Sequence, residues 1–237
     1  MESKQTWKQP GTLLRVLQSK EETRAFYDKI SGFYDLLAEH SEGPVRKAGL
    51  EKLGVTASQR VLEIGYGTGH CLMELAEAVG PEGKVFGIDL SEGMRAHARE
   101  RLEKGSLADR VELVCGDASR LPWAEHSMDA VFMSFTLELF DTPEIPWVLA
   151  ECKRVLREHG RIGVVALSKE GHEGFAAEAY EWTHEHFPNL LDCRPIFVRR
   201  FLEEAGFSIR DAAIEKMWVP VEIVIGEKPQ TAPSGIP

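Results

Sequence analysis

The chain has 237 residues, 43% hydrophobic and 28% charged, with 28 Lys and Arg against 38 Asp and Glu for a formal net charge of −10. A chain of this length can bury a core without disulfides or a structural metal. Its acidic balance argues against general nucleic-acid binding, where clustered positive charge supplies most of the affinity.

The first twenty residues carry Trp7, Leu13, Leu14, Val16 and Leu17 beside Lys4, Lys8, Arg15 and Lys20. They read as a helix packed on its own domain or as a surface-lying amphipathic segment capable of peripheral membrane contact. Residues 1–45 are expected to form a helical entry segment, 46–229 the main domain and 230–237 a flexible Pro-, Ser- and Gly-rich tail. No apolar run approaches the roughly twenty residues of a membrane span. Cys71, Cys115, Cys152 and Cys193 fall in no metal-ligand spacing. With no signal peptide visible, the expectation is a cytoplasmic protein with reduced thiols, membrane-associated at most, and no metal.

From residue 60 onward, short β-branched runs alternate with helical patterns. Arg60–Ile64, Lys84–Asp89, Arg110–Cys115, Ala130–Phe135 and Arg161–Leu167 read as buried strands. Leu72, Leu75, Ala76 and Val79 follow helical spacing and Gly80-Pro81 ends that helix. Ser91 is placed to cap a second helix toward Leu102, and Thr142-Pro143 opens a third with Ile145, Val148, Leu149, Cys152 and Val155 on one face. Such βαβ units imply a parallel sheet with helices on both faces. An insertion at about 171–194 follows the fifth strand, with Phe175, Tyr180, Trp182, His184 and Phe187. Ser208–Val219 and Val221–Glu227 have almost nothing between them, so they are expected to pair as an antiparallel hairpin.

Three motifs fall at the carboxyl ends of consecutive strands, the edge where open α/β sheets bind ligands. Glu63-Ile64-Gly65-Tyr66-Gly67-Thr68-Gly69-His70 runs from a strand through a glycine-rich turn into a helix. Its glycines admit tight bends and close ligand approach. The dinucleotide fingerprint asks for a third Gly where this chain has His70. Glu63, two residues before the first Gly, suits a cationic amino group by charge. Asp89, in Gly87-Ile88-Asp89-Leu90-Ser91, lies at the distance expected of a ribose-hydroxyl acceptor, and Met94 can pack on a base. Asp117 and Ala118, in Gly116-Asp117-Ala118, offer a carboxylate and an amide to an adenine edge.

On these residues, with Leu121-Pro122, the chain resembles the class I S-adenosylmethionine-dependent methyltransferases. It is most similar to the ubiquinone/menaquinone-biosynthesis type and its phospholipid N-methyltransferase relatives. The resemblance spans roughly residues 27–227. It implies a Rossmann-like, seven-stranded, mostly parallel sheet ending in an antiparallel hairpin, with S-adenosyl-L-methionine as cofactor. Glu63, Gly65, Gly67, Thr68 and Gly69 are implied at the methionine end, Asp89 at the ribose and Asp117 and Ala118 at the adenine. Ser134 matches the fourth-strand position beside the methionine moiety. The segment Tyr27-Asp28-Lys29-Ile30-Ser31-Gly32-Phe33-Tyr34 resembles the family's entry segment, whose aromatic residues close over the cofactor.

The chain departs from the quinone-ring enzymes where their Arg-Asn pair is replaced by Leu137-Glu138-Leu139, so the acceptor is left as a small molecule or lipid. Quinone-ring C-methylation and phosphatidylethanolamine N-methylation are the alternatives. Tyr27, Tyr34, Glu138, Tyr180 and His184 are the candidate acceptor-side residues. His70, His126, Glu138 and His184 are candidate bases, each also readable as a surface or capping residue, and no catalytic residue is assigned. A nicotinamide-dependent oxidoreductase is disfavoured by the missing Gly and the hairpin, and a non-catalytic cofactor-binding domain is the remaining rival.

Overall fold

A computed structural model describes residues 16, 19–170, 194–217 and 219–230, with backbone alone for 30–41. Seven strands form one sheet: β1 (Arg60–Ile64), β2 (Lys84–Asp89), β3 (Val111–Cys115), β4 (Met128–Ser134), β5 (Leu156–Leu167), β6 (Ser208–Lys216) and β7 (Pro220–Glu227). Their order is β3-β2-β1-β4-β5-β7-β6. The first five strands are parallel, while β7 runs antiparallel between β5 and β6. The order reverses between β1 and β4, so their carboxyl ends diverge and leave a crevice there.

Both faces of the sheet are covered. Helices α1 (Lys20–Leu53), α2 (His70–Val79) and α3 (Glu92–Lys104) lie on one face. There Val61, Leu72, Leu75, Ala98, Phe132 and Val165 share one buried cluster. Helices α4 (Ile145–Val155) and α5 (Val198–Glu204) lie on the other. There Leu62, Ile64, Val131, Val148, Leu149 and Leu202 share a second. Successive β1 side chains thus alternate between the two cores, as a strand covered on both faces requires.

Strand ends at β3, β4, β6 and β7 shift by one to three residues from the sequence reading, and two differences are larger. The fifth strand begins at Leu156 rather than Arg161, because Met128 pairs with Leu156 before a register shift admits the regular ladder. Helix α1 is continuous across the expected 45/46 boundary and through Gly43-Pro44. Pro44 removes only one internal hydrogen bond. What holds the second half is packing: a side chain at Gly49 would stand 2.4 Å from Val165 Cγ2, so the helix backbone rests directly on β5. Val45 and Leu53 are buried on either side of it. The start of α1 is a complete capping box, with Ser19 Oγ accepting from Glu22 N and Glu22 returning a carboxylate to Ser19 N. Most of the first twenty residues, the 171–193 insertion and the tail from 231 lie outside the described residues.

Candidate functional site

The glycine-rich turn leaves β1 with Gly65 at φ +69°, Gly67 at +52° and Gly69 at +88°. These are left-handed values that favour glycine. The three glycines serve different ends. A Cβ at Gly65 would fall 2.3 Å from the Thr136 side chain, so this turn is pressed against the exit of β4. A Cβ at Gly69 would meet Ala98 at 3.0 Å, where α2 packs on α3. A Cβ at Gly67 would meet nothing within 4 Å. Its bare backbone lines a cleft that is partly open to solvent. Tyr66, between them, turns inward against Gly87 and donates to Val114 O at 3.4 Å.

Four strand ends build that cleft. Asp89, at the end of β2, is half-buried, and its two oxygens accept from Gly67 N and Ser91 N, each at 2.9 Å. One carboxylate therefore ties the glycine turn to the β2 exit. Burial raises its pKa, and the bonds from Ser91 and Gly67 oppose that shift. Ser91 Oγ caps α3 through Met94 N at 3.0 Å and itself donates to Asp28 on α1 at 2.5 Å. Leu90, Met94, Gly116 and Ala118 continue the wall. At the β4 exit Ser134 lines the cleft, and its buried Oγ has no hydrogen-bond partner among the described residues. Phe135 follows at φ +49°, a strained conformation for a bulky residue. It lines the cleft with Leu139 and Phe140, opposite Val16, Thr23 and Tyr27 from the entry segment.

Several expected residues stand elsewhere. Glu63 points away from the cleft, because the strand alternation that sends Leu62 and Ile64 to one face sends Glu63 to the face under α1 and α2. It is 2% exposed, and burial holds its pKa well above the carboxylate range. The Cys71 thiol bonds to it, the charge of Arg46 lies nearby, and its Oε2 has no hydrogen-bond partner among the described residues. Thr68 is buried behind the turn, its carbonyl held by Arg101 Nε at 2.8 Å. The Asp117 carboxylate is engaged by Lys20 Nζ at 2.6 Å and Ser119 N at 2.9 Å. Burial would raise its pKa, but the bond to Lys20 and those to Ser119 hold it low.

Glu138 is neither exposed nor a cap. It is fully buried, with Oε1 accepting from Leu167 N at 3.1 Å and Oε2 without a hydrogen-bond partner among the described residues. Burial pushes its pKa up to about 8. Its neighbours Thr136 and Leu139 line the cleft, but Glu138 is directed toward β5. His70 sits beside Arg101 and His126 beside Lys228, both away from the cleft. Tyr180, His184 and the Tyr34 side chain fall outside the described residues. Sequence reasoning missed Lys20 and Glu144, which form an ion pair at 2.9 Å at the mouth. Nothing local signals a contact between residues so far apart in the chain.

An adenosyl amino acid fits this site on two observations. Gly67 lines the cleft with open space where a Cβ would stand, and Ser134 Oγ is a buried polar atom with no hydrogen-bond partner among the described residues. Among the described residues no helix is long and apolar enough to cross a membrane. No group of three or more His, Cys, Asp or Glu among them is placed to hold a metal ion.

A family model described as a methyltransferase domain matches residues 61–160. The chain is 30% identical over 154 residues to the demethylmenaquinone methyltransferase of Lactobacillus johnsonii, covering 63% of this chain and 62% of that relative. It is 29% identical over 222 residues to the enzyme of that name from Listeria monocytogenes, covering 81% of this chain and 90% of the relative. In fold it is similar to an S-adenosylmethionine-dependent methyltransferase from Aquifex aeolicus, with TM-score 0.63, 24% identity and coverage of 85% and 97%. It is also similar to the [4+2]-cyclase SpnF, with TM-score 0.73, 17% identity and coverage of 92% and 99%. Matched domain, relatives and fold agree: the chain is similar to the class I S-adenosylmethionine-dependent methyltransferases, and among them to the menaquinone-biosynthesis type.

Proposed function

We propose that the cleft at the carboxyl ends of β1 to β4 holds S-adenosyl-L-methionine and that the methyl acceptor is a small, largely apolar ring compound of the quinone type. The observation that carries the cofactor assignment is the open space over Gly67, flanked by the Asp89 carboxylate and the Ser134 hydroxyl. Gly65, Gly67 and Ser134 face the methionine end, and Asp89 accepts the ribose hydroxyls with the lone pairs its two amide bonds leave free. Leu90 and Met94 pack on the adenine, and Ala118 and Asp117 meet its polar edge. Glu63, Thr68 and Gly69 support the turn from behind. Tyr27 contributes to the roof.

S-Adenosylmethionine supplies an electrophilic methyl on a sulfonium whose departing thioether is neutral, so the leaving group needs no acid. The chain's task is to orient the acceptor and exclude water. Phe135, Leu139 and Phe140 give the cleft an apolar wall suited to a ring. The curated relatives from Lactobacillus and Listeria carry demethylmenaquinone in their names, which favours the quinone class. With Glu138 turned toward β5, no base is assigned to it.

The test is methyl transfer to a panel of acceptors, read by mass spectrometry. The panel holds a reduced naphthoquinone lacking its ring methyl, a phenol, an aliphatic amine and phosphatidylethanolamine. Ring methylation of the naphthoquinol is expected. Turnover of the amine or the phospholipid alone would overturn the acceptor class.

A further inference from the structure

Lys20 bridges two walls at the mouth of the cleft. It opens α1 and lines the cleft, and its Nζ lies 2.6 Å from Asp117 Oδ2 beyond β3 and 2.9 Å from Glu144 Oε1 before α4. Those carboxylates belong to different walls, so one ammonium bridges them. Two further ties fix the same stretch. Val16 N donates to Asp141 at 3.2 Å, and Asp28 accepts from Ser91 Oγ at 2.5 Å and from Gly93 N at 2.9 Å. Among these ties Lys20 alone reaches both the proposed adenine edge and the α4 side.

We propose that Lys20 is a positioning residue whose twin ion pairs latch the start of α1 across the cleft and set the rate at which the adenosyl cofactor enters and its product leaves. This rests on the cofactor assignment above. Entry and exit both require the ammonium to leave Asp117 and Glu144. The two pairs are partly exposed, so each is modest in strength and sensitive to salt. Such a latch slows both directions of exchange while altering their ratio little.

The test is stopped-flow binding of S-adenosylhomocysteine at low and high salt to the wild type, Lys20→Met, Lys20→Arg and Glu144→Gln. Hydrogen exchange of residues 21–28 is measured in the free proteins alongside. Lys20→Met is expected to raise association and dissociation rates together by about tenfold. It should leave Kd within about threefold, abolish the salt dependence of both rates and speed exchange in 21–28. Lys20→Arg is expected to restore slow exchange, and Glu144→Gln to fall between. Unchanged rates in a folded Lys20→Met protein, or a weakened Kd with an unchanged association rate, would overturn the latch. Failure of the wild type to bind S-adenosylhomocysteine would instead overturn the cofactor assignment.

Discussion

Replacing Gly67 by Ala separates a cofactor cradle from a plain corner of the fold. Gly67 sits at φ +52°, and a Cβ there meets no atom within 4 Å. The free protein therefore suffers only left-handed backbone strain, about 1–2 kcal/mol. For a domain of this size that lowers Tm by roughly 2–4 °C per kcal/mol. The bound cofactor must share its contact surface with the new methyl, an overpacking cost of about 1–3 kcal/mol, or roughly 5- to 150-fold in Kd. A Val side chain at the same site should abolish binding. Gly69→Ala is the control: its Cβ meets Ala98 at 3.0 Å, so it should lose stability more than affinity. The assays are thermal unfolding and calorimetric titration of S-adenosylhomocysteine. A folded Gly67→Ala protein with unaltered Kd would mean that the turn is only a corner of the fold.

Asp89→Ala should do two things at once. Besides losing the ribose acceptor, it leaves the Gly67 and Ser91 amides without their carboxylate. Stability should fall by about 1–3 kcal/mol and S-adenosylhomocysteine affinity at least about tenfold. Denaturant melts and calorimetry check both, and an unchanged affinity would place the ribose elsewhere. Glu138 has its folded pKa raised by burial to about 8 from 4.5. The folded state therefore holds the proton more tightly, and its contribution to stability is full below about pH 4.5 and lost as pH rises through about 8. The slope is at most about 1.4 kcal/mol per pH unit for this one group. Denaturant midpoints of Glu138→Gln should flatten over that window, and a wild-type-like slope would count against it. Gly49→Val should destabilise the whole domain by more than about 1–3 kcal/mol, since its side chain meets Val165. Melting that is confined to α1, with the sheet unaffected, would show instead that α1 is a separable unit.

Periodicity and turn chemistry carried much of this architecture. The alternation of strands with helical stripes foretold the parallel sheet, and the missing crossover after residue 219 foretold the closing hairpin. The turn from Gly65 to Gly69 and the carboxylates after β2 and β3 were visible as motifs. Other features were hidden for identifiable reasons. Glu63 lies in a strand covered on both faces, so apolar neighbours on either side did not reveal which face it takes. Glu138 reads as a surface residue because carboxylates are seldom buried. Its burial depends on where β5 presents the Leu167 amide. The contact of Lys20 with Asp117 and Glu144 joins residues about a hundred positions apart, and no local pattern encodes it. The early start of β5 follows from a register shift that the sequence run from Arg161 does not announce.

The adenosyl cofactor is proposed to lie across the carboxyl ends of β1 to β4. A crystal structure of the complex with S-adenosylhomocysteine tests it directly. Ribose hydroxyls are expected within hydrogen-bond distance of Asp89, adenine against Met94 and Ala118, and the amino-acid chain over Gly67 beside Ser134. A ligand bound anywhere else, or one that leaves Gly67 and Asp89 untouched, would contradict it.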